Sequence, residues 1–139
     1  MDIRAYNYLP EEARAIRRAV FMEEQGFVDE FDEVDDIATH IVLFDGGEAV
    51  ATCRLFPSGE PGEYVVGRLA VMRGHRGSHL GARTLAGAED EAARRGATSV
   101  VLHAQVRAAG FYESQGYERF GEQDLDEGCP HVWMRKSLA

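Results

Sequence analysis

The chemical potential of this chain concentrates in Leu69-Ala70-Val71-Met72-Arg73-Gly74-His75-Arg76-Gly77-Ser78-His79-Leu80-Gly81-Ala82-Arg83. The run starts as an apolar strand, turns through Gly74 and Gly77, and enters an alanine-rich stretch that favours helix. A helix start placed there aims free amide N–H groups and a positive dipole end at one point. Glycine lets backbone approach a ligand closely, so the arrangement suits an anion such as a pyrophosphate. Arg73, Arg76 and Arg83 stand nearby as guanidinium partners for phosphate. The named phosphate motifs do not occur, since there is neither a Gly-Lys-Ser/Thr of a P-loop nor a Gly-x-Gly-x-x-Gly. His40, His75, His79, His103 and His131 contain no His-Glu-x-x-His or similar ligand spacing, which argues against a metal-dependent hydrolase. Cys53, inside an apolar alternation, and Cys129, beside Pro130, read as reduced structural thiols.

The elements that must position these residues follow from periodicity. Ile3 to Tyr8 alternates as a strand, and Pro10-Glu11-Glu12 suits the first turn of a helix. Ala13, Ile16 and Val20 form its apolar face, Arg14, Arg17 and Arg18 its other face, and it fades near Gln25-Gly26. Asp29 to Asp36 is densely acidic without a period, which predicts a loop or short irregular helix with a solvated face. Thr39 to Asp45 and Glu48 to Phe56 read as a hairpin around Gly46-Gly47, and Glu63 to Met72 as a third strand after a turn at Pro57 to Gly62. A helix is predicted from about Ser78 to Arg95, closed by Gly96. Ser99 to Ala104 has the near-continuous apolar character of a buried parallel strand. A helix over Gln105 to Gln115 stops at Gly116, and Tyr117 to Phe120 and His131 to Lys136 close the chain as strands around a loop at Glu122 to Pro130. The order is strand, helix, three strands, helix, strand, helix, two strands. That is an α/β (α+β) pattern without internal repeat or linker.

With 139 residues, 45% hydrophobic and 28% charged, the composition is that of one globular domain. No stretch resembles a signal peptide or a membrane span, so the expectation is a cytoplasmic protein that does not engage a membrane. A net charge of −9 repels nucleic acid and favours cationic or small neutral partners. Lys136 is the only lysine, so anions must be met by arginine or by backbone amides.

Arg76 to Gly81 resembles the coenzyme-A signature of GNAT acyltransferases, Arg/Gln-x-x-Gly-x-Gly/Ala, with Arg76 in the first place and Gly81 in the last. His79 stands where the middle glycine is usual, and histidine is among the residues enriched at left-handed φ. Gln105-Val106-Arg107-Ala108-Ala109-Gly110-Phe111-Tyr112-Glu113-Ser114-Gln115-Gly116-Tyr117 is similar to the family pattern Asn-x-x-Ala-x-x-Phe-Tyr-Glu-x-x-Gly-Phe/Tyr, with Gln105 replacing asparagine. Val20 to Gly26, the acidic stretch through Asp35-Asp36, Gly67 to Val71, Leu102 to Gln105 and Gly128 to Met134 look like the ElaA-like subgroup. The likeness covers nearly the whole chain.

The resemblance implies a single N-acyltransferase domain over residues 1–139, with a mixed sheet of about seven strands flanked by helices. The sheet would splay between its fourth and fifth strands to admit CoA. It implies acetyl-CoA as cosubstrate, no metal, and transfer of the acetyl group to a primary amine by direct attack on the thioester. Leu69, Ala70 and Val71 would hold pantetheine, Arg76, Gly77, Ser78, His79, Leu80, Gly81 and Ala82 the pyrophosphate, and Gln105, Phe111 and Tyr112 would also contact the cofactor. The Val71 amide would steady the oxyanion, and the Tyr112 hydroxyl would act as general acid to the departing sulfur or hydrogen-bond to it as thiolate.

An amine of pKa about 10.4 is almost wholly protonated at pH 7, a handicap of about 4 to 5 kcal/mol, so a base must act. Glu63, His40, His103 and water are the candidates, while Glu23 and Glu24 are candidates to line the acceptor pocket. The acceptor itself, a small molecule or a protein lysine, is not legible. The oligomeric state is open, with a homodimer among the options. The rival reading is a catalytically silent acyl-CoA-binding sensor or interaction module on the same fold.

Overall fold

The computed structural model describes residues 1–139. Its regular elements are β1 (Asp2–Tyr6), α1 (Glu11–Arg17), β2 (Thr39–Asp45), β3 (Glu48–Pro57), β4 (Glu63–Val71), α2 (Leu80–Arg94), β5 (Ser99–Gln105), α3 (Ala109–Ser114), β6 (Glu118–Asp126) and β7 (Cys129–Ser137). The seven strands form one sheet in the order β1-β2-β3-β4-β5-β7-β6. Only the β4–β5 pair is parallel, because α2 carries the chain back between them. β2 is buried from Thr39 to Phe44 because helices cover both of its faces. On one face Ala13 and Ile16 of α1, with Val20 just after it, pack against Val42, Phe44 and Ala70. On the other, α2 packs Leu85, Ala88 and Ala92 against Ile41, Cys53, Leu55, Val100 and Leu102. No helix is long and apolar enough to cross a membrane.

The splay has a specific cause. β4 and β5 pair only at Glu63–Ser99, Tyr64–Val100 and Val65–Val101, after which β4 stays with β3 and β5 stays with β7 through Gln105. The β3–β4 register shifts between Thr52 and Arg54, leaving β4 one residue longer, and Arg68 sits at φ 54 inside that bulge. A bulge bends its strand and increases the local twist, so β4 swings away from β5.

Two sequence expectations need correction. Arg17, grouped with the solvated face of α1, is 1% exposed, and the acidic stretch that should face water sends Glu30 and Asp35 inside. Arg17 donates to both Asp35 carboxylate oxygens at 2.7 and 3.1 Å and to Glu30 Oε2 at 2.8 Å. Arg54 pairs with Asp32 at 2.6 Å and Asp35 at 3.0 Å, and Arg68 reaches Glu30 Oε2 at 3.1 Å. Arginine stays charged when buried, so it enters only with anions, and here the cations and carboxylates balance. The second correction concerns Glu122 to Pro130, expected as a loop. β6 runs on to Asp126 and meets β7 through Glu127 and Gly128, at φ 49 and 77, a turn in which both central residues are left-handed.

Burial works to raise the Asp35 carboxyl, but the Arg17 guanidinium, aided by the Asp32 amide and Arg54, pulls it down to about 2. Its folded value lies below the ordinary one, so the stability it contributes, roughly 2 to 3 kcal/mol, is present above about pH 4 and lost as pH falls through about 2. Asp35→Asn should cost about 3 to 5 kcal/mol in denaturant unfolding at pH 7, since it leaves buried arginine short of an anion. The deficit relative to wild type should shrink between pH 4 and pH 2. A loss below 1 kcal/mol at pH 7 would contradict the packing described.

Candidate functional site

Where β4 and β5 part, the sheet holds a cavity of about 540 Å³. β4 contributes Arg68 and Leu69, β5 contributes His103, Ala104 and Gln105, and α3 contributes Tyr112. Phe21 and Gln25 come from the continuation of α1, which widens into a π-helical turn over Arg18–Glu24. Such turns recur near functional sites. The remaining wall is Phe27 and Asp29 to Asp32, Arg107 and Ala108 after β5, and Asp126, Glu127 and His131 around the β6–β7 turn.

Beside the cavity the backbone is prepared for polar contact. The Met72 amide donates to the Val50 carbonyl at 2.8 Å, and Ala51 and Val71 lie opposite each other in the next register position. Hydrogen-bonded and non-hydrogen-bonded pairs alternate in an antiparallel ladder, so the Val71 N–H points away from β3 and into the opening. The carbonyl of Val71 accepts from Arg76 Nε at 3.0 Å.

α2 begins nearby with no side-chain cap, after Gly77 at φ 90 and His79 at φ 62. The first helical bond runs from the Arg83 amide to the His79 carbonyl, which leaves the amides of Leu80, Gly81 and Ala82 without helical acceptors. His79 thus takes the left-handed conformation that the sequence pattern demands of a glycine. A Cβ on Gly81 would lie 3.5 Å from Phe111 Cζ and 3.7 Å from Val71 Cγ2, so α2, α3 and β4 converge at this residue. Uncapped amides beside a strand opening suit a pyrophosphate linked to an extended chain, the shape of coenzyme A.

Arg76 is engaged with Glu24 through two bonds of 2.6 and 2.7 Å. That pairing holds the Glu24 carboxyl below its ordinary range. Gln105 donates to Gln25 at 2.8 Å and accepts from Arg107 at 2.7 Å, tying the end of β5 to the π-helical turn. Burial raises the Tyr112 phenol above the ordinary tyrosine range, so its hydroxyl keeps its proton. Cys53 is buried and its thiol is pushed up to about 12, as an inert core residue would be.

Among the candidate bases only His103 lines the cavity. His40 is buried against the Asp35 carbonyl at 3.0 Å, and Glu63 lies at the paired end of β4 beside Arg135 at 3.4 Å. Glu23 and Glu24 do not line it, and Glu30 and Asp32 do so already paired with arginine. The predicted residues Leu69, Gln105 and Tyr112 meet in the cavity; Val71, Gly81 and Phe111 converge next to it. Sequence reasoning missed Gln25, Arg68, Arg107, Glu127 and His131. Glu127 carried a readable signal as the partner of Gly128 in a tight turn; Arg68 carried none, because its bulge exists only through distant carboxylates.

The family model described as the acetyltransferase (GNAT) domain matches residues 7–138. YyaT of Bacillus subtilis (strain 168) is 35% identical over 133 residues, which cover 92% of this chain and 88% of that protein. An acyl-CoA N-acyltransferase from Pseudomonas aeruginosa superposes with a TM-score of 0.85 at 26% identity, covering 98% of this chain and 99% of its own. Escherichia coli ElaA superposes with a TM-score of 0.85 at 25% identity, covering 97% of this chain and 98% of its own.

On addition of acetyl-CoA, residues 69 to 83 should gain more protection from amide hydrogen exchange than any other segment. Protection confined to residues 29 to 36 would place the ligand elsewhere.

Proposed function

We propose, taking as premise that this chain belongs to the GNAT acetyltransferase family and has ElaA-like relatives, that residues 1–139 act as one N-acetyltransferase domain that acetylates a primary amine. The observation that carries this reading is the Val71 amide, turned into the opening between β4 and β5 beside the uncapped start of α2. Acetyl-CoA, when bound, supplies an acetyl thioester for attack by the amine.

The roles of the protein residues follow from their positions. The outward-facing backbone groups of β4 at Leu69 and Val71, on either side of Ala70, hold the pantetheine arm along the free side of the strand. Gly77, Ser78 and His79 curve the chain so that the amides of Leu80, Gly81 and Ala82 converge on the pyrophosphate, where the dipole of the 15-residue α2 adds to them. Arg76 exchanges its Glu24 partner for phosphate. Phe111 and Gln105 form the opposite wall. The Val71 N–H donates to the thioester oxygen as negative charge develops there, and one preorganised donor of this kind is worth about 3 kcal/mol.

Tyr112 faces the same cavity from α3. A free thiol has a pKa of about 8.5, so a phenol raised above its ordinary range does not give up its proton to the sulfur. Its role is therefore a hydrogen bond that steadies the departing thiolate. The acceptor amine reaches the thioester through the cavity, between His103 and the wall at Asp29 to Asp32. Asp29 and Asp126 stand there outside the arginine pairs and favour a cationic acceptor.

Incubation with acetyl-CoA and a panel of primary amines should release free thiol in proportion to N-acetyl product. A sensor would bind acetyl-CoA and release none. With an accepted amine, Tyr112→Phe should lower kcat at least tenfold, about 1.4 kcal/mol, with acetyl-CoA affinity nearly unchanged. Wild-type turnover in that variant would remove the hydroxyl from the mechanism.

A further inference from the structure

We propose that His103 is the proton acceptor for the attacking amine and that Asp124 is the positioning residue that turns it; this rests on the acyl-transfer reading above. His103 projects from β5 into the cavity wall beside Ala104, the same cavity that Tyr112 and Leu69 line. Its Nε2 lies 2.7 Å from Asp124 Oδ1. An ionised carboxylate only accepts, so the Nε2 of the neutral ring carries the hydrogen and Nδ1 keeps its lone pair. The ring is also held in plane. It stacks on Trp133 at 4.8 Å and 24°, and lies 4.7 Å from His131.

The chain makes a local sacrifice to bring Asp124 there. Phe120 pairs with Trp133 and Asp124 pairs with His131, so β6 carries extra residues across that interval, with Gly121 at φ 75. Without this bulge, regular alternation would place other side chains opposite His131. His131 itself has Nδ1 2.8 Å from the Cys129 carbonyl. A carbonyl only accepts, so that nitrogen carries a hydrogen. The charged and titratable groups that share the cavity with His103 are His131 from β7, Asp126 from β6, Glu127 from the β6–β7 turn, Arg68 from β4, Arg107 after β5, Tyr112 from α3, and Asp29, Glu30 and Asp32 from the acidic loop, with Asp124 of β6 at its ring. Asp124 alone bonds to its ring.

The step balances as follows. His103 Nδ1 takes one proton from the acceptor ammonium. The freed lone pair forms the nitrogen–carbon bond, and the carbon–sulfur bond breaks. Of the two surplus protons of the ammonium, one ends on the coenzyme sulfur and the other leaves through His103 to solvent. The products are the amide, free thiol and one proton.

His103→Gln should lower kcat/KM by about 100-fold or more at pH 7, with acetyl-CoA affinity unchanged. Imidazole should restore activity to His103→Ala. Asp124→Ala should lower kcat, leave acetyl-CoA affinity unchanged and let nitrogen-15 NMR find the hydrogen shared between the two ring nitrogens, because the ring loses the acceptor that fixes its tautomer. Nitrogen-15 NMR of the free protein should find the hydrogen on Nε2 of neutral His103; a hydrogen on Nδ1 would overturn the assignment without reference to any acceptor. An active wild type with an equally active His103→Gln would overturn the proton-acceptor role alone. A wild type that binds acetyl-CoA and acetylates no primary amine would overturn the acyl-transfer reading and this role together.

Discussion

The site depends on an ion-pair network, buried at Arg17, Arg54, Glu30 and Asp35 and reaching the surface at Arg68 and Asp32. A non-glycine residue at left-handed φ is strained, by about 1 to 3 kcal/mol, and persists only where its surroundings hold it. Arg68 is held because its guanidinium reaches Glu30 and Asp32. Arg17 and Arg54 fix those carboxylates from the other side, and Phe31 packs its ring over the Arg17 guanidinium at 4.8 Å. The bulge that turns β4 aside is therefore maintained by residues up to 51 positions away in sequence, from α1, β3 and the acidic loop. Breaking one pair removes more than a contact, because it leaves a charge in the interior.

The opening between β4 and β5 joins two halves of one sheet. Strands β1 to β4 lie under α1, while β5, β7 and β6 form a second antiparallel unit that carries His103, His131 and Asp124. α2 lies behind β3 and β4, and its Ala88 and Ala92 share one core cluster with Leu55 of β3 and Val100 of β5. Its small alanines let it come close enough for its first turn to reach Val71 and Phe111. One bulge in each half thus supplies one part of the chemistry: Arg68 in β4 opens the cleft, and the irregularity in β6 carries Asp124 to His103.

Much of this was legible in the sequence because it is written in local physics. The hairpin at Gly46-Gly47, the alanine-rich α2 ending at Gly96 and the apolar β5 each follow from neighbouring residues, and so does the left-handed His79 once its place in the motif is known. What escaped was decided at long range. Arg17 stands between exposed-looking arginines in a helix that reads as amphipathic, and only the fold of residues 30 to 35 over it shows that it is buried. The continuation of β6 past Phe120 was hidden because its residues are polar and exposed, so no apolar alternation marks a strand that is held by pairing with β7 alone. Likewise, His103 could be named among candidate bases but not chosen, since the choice rests on Asp124, 21 residues away, and on the cavity both share with Tyr112.

The decisive measurement is a crystal structure of the protein with acetyl-CoA bound. The pantetheine arm should lie between β4 and β5, with the Val71 nitrogen about 2.7 to 3.1 Å from the thioester oxygen and the pyrophosphate on the amides of Leu80 to Ala82. A ligand bound outside that opening, with Arg76 still paired to Glu24 and the Val71 amide facing solvent, would contradict it.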